Sequence, residues 1–146
     1  MGNEEYKQAY RPLLPGTRFI RFNEPADLEL ITTETACVVI ETVQGEAGIR
    51  VPDIAYMQAL HKKCTATGTL LILDEIQAAM GRTGKLFAFD HFGITPDILL
   101  LAKALGGGMP LGAFIASNQI ISALKENPML GHMTTFGGHP VCCAGG

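Results

Sequence analysis

No stretch of this 146-residue chain stays apolar long enough to cross a bilayer. Glu41, Asp74, Lys103 and several glycines cut its longest hydrophobic runs below the ~18 residues a span needs. A basic-then-apolar leader is also missing from MGNEEYKQAY, and no Ser or Thr stands at the sixth position to favour myristoylation. Positive charge is scarce: 11 Lys and Arg against 14 Asp and Glu give a net charge of −3 with no dense basic stripe. That removes the electrostatic reason to expect nucleic acid. No CxxC pair occurs among Cys37, Cys64, Cys142 and Cys143, so they read as reduced thiols of a cytoplasmic protein. His132 and His139 lie near the last two cysteines, but the spacing fits no zinc template, and no metal is expected. Internal repeats and low-complexity segments are absent too.

What is present is core. The hydrophobic fraction is 47% and the mean hydropathy +0.23. A chain of this length buries roughly 68–70% of its unfolded surface. The first dozen residues are polar and end in RPLLPG, where little regular structure is expected. TRFIRF (Thr17–Phe22) alternates like a short strand, and NEPADLELIT like a brief helical turn. ACVVIE (Ala36–Glu41) is a β-branched run that predicts a buried strand. Pro52–Asp53 then opens a helix whose Met57, Leu60, His61 and Cys64 share one face, and Gly68 closes it. TLLILD (Thr69–Asp74) shows no alternation, as expected of a parallel strand covered on both faces. This strand–helix–strand unit implies a right-handed crossover. DILLLAK (Asp97–Lys103) is a third strand, reached through a short helix near Leu86–His91. GAFIAS (Gly112–Ser117) is a fourth, followed by a helix over Asn118–Glu126. The fold class is α/β with a mostly parallel sheet.

Ligands of open parallel sheets bind outside the carboxyl ends of the strands. Asp74 and Lys103 each end such a strand, Glu41 ends another, and all should face one crevice. Each alone reads as an ordinary strand end or turn cap. As a pair they say more, because a lysine set between ILLLA and ALGGG has little polar company and is expected to be partly desolvated. Two phosphate motifs fail. A dinucleotide GxGxxG beginning at Gly106 meets Leu111 where its third glycine belongs. A P-loop ending in Gly84–Lys85 meets Ala79 and Leu86 where a glycine and a hydroxyl belong. An amine at one strand exit and a carboxylate at another suit pyridoxal 5'-phosphate, which needs a Schiff-base lysine and an acid at its ring nitrogen.

LDEIQ, GRTGKLFAF, TPDILLLAKALGGGMPLGAF and TTFGGHP together closely resemble the class III, ω-amino-acid type aminotransferases, in particular the acetylornithine and ornithine enzymes. The resemblance runs from about Ala36 to the end of the chain. It implies the large domain of the type I aminotransferase fold. It also implies that Lys103 binds the cofactor and then carries a proton between substrate and cofactor carbons. By the same resemblance Asp74 partners the ring nitrogen, Ile76 packs against one ring face, and Gln77 lies near the ring hydroxyl. Thr135, with Thr134 beside it, matches the phosphate contact given to a neighbouring subunit, so a homodimer or higher assembly with shared sites is implied. Glu46, in VQGEAG, matches a glutamate beside the substrate pocket.

The match has departures. AAM follows Gln77, where the family pattern calls for a small residue, a glycine and then an aromatic or leucine. A glycine-rich phosphate turn, an aromatic over the other ring face and a small C-terminal domain with its carboxylate-binding arginine find no counterpart here. Residues 1–146 are therefore expected to be the central part of a large domain, inactive alone. In the intact protein the resemblance implies transfer of an amino group from acetylornithine, ornithine or 4-aminobutyrate to a 2-oxo acid. Two alternatives stay open on the residues: another enzyme of the same cofactor and fold (aminomutase, decarboxylase or racemase), or a non-catalytic dimerisation module.

Overall fold

The computed structural model describes residues 3–126, 129 and 132–146. Its first element is a helix that the polar composition hid, α1 (Glu4–Ala9). Asn3 caps it, with Oδ1 accepting from the Glu5 and Tyr6 amides at 2.9 and 3.4 Å, and Glu4 and Glu5 fill the electropositive first turn. The first two residues of the stretch read as irregular lie outside the described residues.

Thr17–Phe22 forms no strand. The Arg21 amide, which a strand would give to a neighbour, donates instead to Asp27 at 2.7 Å, and the Arg21 guanidinium grips the same carboxylate at 2.6 Å. That guanidinium lowers the Asp27 pKa to about 2. Asn23 then turns the chain at φ 60°. The helical turn expected next is a 3-10 turn over Pro25–Leu30.

Four strands form one sheet in sequence order: β1 (Cys37–Glu41), β2 (Leu70–Asp74), β3 (Ile98–Leu101) and β4 (Ala113–Ala116). The first three are parallel and β4 runs against β3, so the expected mostly parallel α/β sheet is observed. Helix α2 (Ile54–Thr67) crosses from β1 to β2 and ends at Gly68, whose φ of 71° is easy only for glycine. Its Tyr56, Met57, Leu60 and Cys64 are buried against Leu71, Leu73, Leu99 and Leu101. Full burial of a leucine such as Leu60 or Leu73 contributes roughly 1.5–3 kcal/mol. Burial also pushes the Cys64 thiol up to about 11.

Among the described residues the strands are not covered on both faces. Leu71 and Leu73 are buried, while Leu70, Ile72 and Asp74, which point the other way, are half-buried. On that second face Val39 is 47% and Phe114 49% exposed. There α2, with Leu28, Phe89 and Leu105 from nearby turns, packs in the core with Leu71 and Leu73, and the alternation hidden in the leucine-rich sequence becomes visible only in burial. The remaining elements are 3-10 turns over Ala88–His91, Lys103–Gly106 and Ala123–Lys125, with helices α3 (Asn118–Ser122) and α4 (Pro140–Gly145). The helix expected over Asn118–Glu126 is thus split between α3 and a 3-10 turn. No described helix is long and apolar enough to cross a membrane.

Candidate active site

Register brings the strand exits together. Glu41 pairs with Asp74, and Asp74 with Leu100, so two carboxylates stand side by side at the ends of β1 and β2. Each is held by a backbone amide: Glu41 Oε2 accepts from Gly45 at 3.1 Å, and Asp74 Oδ1 from Ile76 at 3.0 Å. The half-buried Asp74 therefore also caps its own turn, and its second oxygen makes no described hydrogen bond.

Lys103 does not end β3. The strand stops at Leu101, and Lys103 opens the following 3-10 turn at φ 48°. It is also exposed, not desolvated: Leu101 and Leu105 pack into the core, while the positive-φ lysine between them stands outside it. Its Nζ donates to Gln77 Oε1. On its other side the Gln77 amide lies against Gly45, so closely that a Cβ there would strike it. Gly45, Gln77 and Lys103 thus link the loops after β1, β2 and β3 into one line across the crevice.

Ile76 is half-buried beside Asp74. Glu46 is exposed on a loop closed by paired hydrogen bonds between Gln44 and Arg50, at 3.0 and 2.9 Å. Beside Gln77 that loop forms a shallow cleft with Val43, Ile49, Arg82 and Thr83. Thr134 and Thr135 are exposed in a turn held by the Gly137 amide on the Thr134 carbonyl. No described hydrogen bond joins Glu46 or either threonine to Asp74, Gln77 or Lys103. The chain thus gathers Asp74, Ile76, Gln77 and Lys103 around the exits of β2 and β3, sets Glu46 next to Gly45 in the loop after β1, and carries Thr134 and Thr135 on an exposed turn.

Two neighbours of the site escaped sequence reasoning. Gly45 bears on Lys103 through its contact with Gln77, which no local pattern reveals. Glu75 is fully buried, accepting from Thr42 Oγ1 at 2.9 Å and from the Ala88 and Phe89 amides at 2.8 and 2.7 Å. Period-2 alternation from Leu71 and Leu73 would have placed it on the covered face.

The site is thus that of an α/β protein whose mostly parallel sheet carries an amine, a carboxylate and an amide just past the exits of two adjacent parallel strands. Residues 5–145 match the family Aminotransferase class-III, and the chain belongs to it. It is 48% identical over 141 residues to the acetylornithine aminotransferase of Methanocaldococcus jannaschii, covering 96% of this chain and 35% of that protein. It is 46% identical over 147 residues to the putrescine aminotransferase of Pectobacterium atrosepticum, covering 95% and 31%. The ornithine aminotransferase of Toxoplasma gondii, whose active site is partly occupied by pyridoxal phosphate, superposes with a TM-score of 0.89 at 36% identity, covering 99% of this chain and 34% of that one. The resemblance read from the strand-exit motifs holds, and class III aminotransferases are pyridoxal-phosphate enzymes. The chain spans about a third of the length of the curated relatives it matches.

Proposed function

We propose that the chain forms the central part of the cofactor-binding large domain of a transaminase. In the full-length protein it would move an amino group from a donor with a terminal amine, such as acetylornithine, ornithine or 4-aminobutyrate, to a 2-oxo acid. The relatives named for acetylornithine, putrescine and ornithine support that donor class. A cytoplasmic homodimer with shared sites is part of the same reading.

One observation carries it: Lys103 and Asp74 stand at the exits of adjacent parallel strands, with Gln77 reaching from the β2 exit to the lysine amine. The donor set fits pyridoxal phosphate. A carboxylate suits a ring N–H, an amide a ring oxygen, an apolar side chain a ring face, and a free amine a carbonyl. When bound, the cofactor supplies a carbonyl that captures amines and a ring that withdraws electrons from the carbon beside the captured nitrogen.

The chain's own residues do the rest. Asp74, already oriented by the Ile76 amide, holds the proton on the ring nitrogen with its free oxygen. Ile76 supports the ring face. Gln77 spans the ring-hydroxyl side and the resting amine. Lys103, exposed and on a short turn, has the freedom to receive a proton at one carbon and deliver it to another. Glu46 faces the substrate, and Thr134 and Thr135 reach a partner's phosphate.

The test is borohydride reduction of the full-length holoenzyme followed by peptide mapping. The pyridoxyl group is expected on Lys103. Its appearance on Lys85 or Lys125, with Lys103 unmodified, would overturn the assignment.

A further inference from the structure

Every polar group of Glu75 is engaged. Its amide donates to the Leu100 carbonyl at 3.1 Å, and its carbonyl accepts from the Ala79 amide at 3.1 Å. Its Oε1 takes the Thr42 hydroxyl and the Phe89 amide, and its Oε2 the Ala88 amide. One residue with no exposure therefore ties the exit of β2 to three other places: its backbone amide to strand β3, and its side chain to the residue after β1 and to the start of the Ala88–His91 turn. Its three side-chain contacts are all with neutral donors, so the carboxylate is held by hydrogen bonds alone. An apolar plug would close the same space without burying a charge, so packing alone is a weak reason for an acid here.

Its position supplies a better one. Asp74 precedes Glu75 and points to the opposite face, and the Ile76 amide that orients Asp74 belongs to the peptide bond Glu75 begins. Anchoring Glu75 anchors the donor that aims Asp74, and it fixes the start of the segment carrying Gln77 to Lys103. Resting on the reading of Asp74 as the ring-nitrogen partner, we propose that Glu75 is a positioning residue for that reaction. It acts from behind the sheet by holding Asp74 and Gln77 in line with Lys103.

Glutamine is the discriminating replacement. Either orientation of its amide turns an NH2 toward a backbone N–H that can only donate, so one buried contact is lost while the volume stays the same. In the full-length holoenzyme, Glu75→Gln should lower kcat by roughly 10- to 100-fold, the scale of a misplaced reacting group, with a much smaller change in KM. It should also move the pH midpoint of the bound cofactor's visible absorption upward, because a ring nitrogen held less firmly in its protonated form withdraws less charge from the lysine-bound nitrogen. Thr42→Val removes one of the three side-chain contacts and should shift the midpoint less, in the same direction; Thr42→Ser should restore it. If Glu75→Gln does not fold, the Val and Ser pair decides. Lost thermal stability with midpoint and kcat unchanged would make Glu75 a core residue and overturn the proposal. Asp74→Asn, run in parallel, separates the two readings. A shifted midpoint in Asp74→Asn with none in Glu75→Gln or Thr42→Val sinks only the role of Glu75, whereas an unmoved midpoint in Asp74→Asn sinks both.

Discussion

Asp74 and Glu41 end neighbouring strands in register, yet their carboxylates are differently engaged. Glu41 is tied to the Gly45 amide, whereas Asp74 keeps one oxygen without a described partner. On the proposed roles, replacing Asp74 with Asn should therefore leave the fold and the attachment to Lys103 intact while removing the group that would keep the ring nitrogen protonated. Steady-state assays of the full-length holoenzyme are expected to show a kcat lower by about 10²–10⁴-fold, the range of a positioned proton-transfer group. Near-normal turnover would reduce Asp74 to a turn cap. At this scale the sequence was partly legible. Asp74 and Lys103 stood out because each interrupts an apolar run, and such interruptions need no three-dimensional partner to be noticed. Glu75 follows an acid already assigned a role, and the donors that explain it lie 13, 14 and 33 residues away in the chain.

Among the elements, the loop after β1 meets Gln77 through Gly45. A Cβ at Gly45 would meet the amide end of Gln77, which is free to swing aside. Gly45→Ala is thus expected to change unfolding free energy by no more than about 0.5 kcal/mol. Activity should fall by up to about 10-fold, because displaced Gln77 no longer meets Lys103. A melting curve and a kcat measurement on one preparation check this; unchanged kcat would detach Gln77 from the site. The strands and α2 were readable because β-branched and leucine runs bounded by glycine and proline have few alternatives. Thr17–Phe22 misled because Asp27 takes the Arg21 amide that a strand would have used. Helix α1 was hidden by its lack of any buried residue, although Asn3 followed by two glutamates is a start signal in its own right.

At the scale of the whole molecule, the described chain is one sheet with one well-covered face, and it matches a third of its relatives' length. Thr134 and Thr135 stand exposed in their turn and make no described hydrogen bond to the crevice. If Thr135 serves a partner, a mixture of full-length Thr135→Ala and Lys103→Ala subunits should regain activity, since a mixed dimer gathers both lesions in one site and leaves the other whole. Verified subunit exchange without recovered activity would return Thr135 to its own subunit's site or remove it from the site. The sequence offers these threonines a role only through family resemblance, because a contact between subunits would leave no periodicity in either one.

The φ of 48° at Lys103 bears on how such a chain would drift once relieved of its chemistry. A lysine in the left-handed region carries a conformational cost of roughly 1–2 kcal/mol that glycine largely escapes. Lys103→Gly should accordingly unfold at a higher denaturant concentration than Lys103→Ala, by about 0.5–1 kcal/mol after allowing for the added freedom of glycine when unfolded. Equal midpoints would show that the turn carries no such cost. Under selection for stability alone the amine would be among the first things lost, and glycine a ready successor. An amine kept at that position is held at a cost in stability, and the chemistry proposed for Lys103 would account for it.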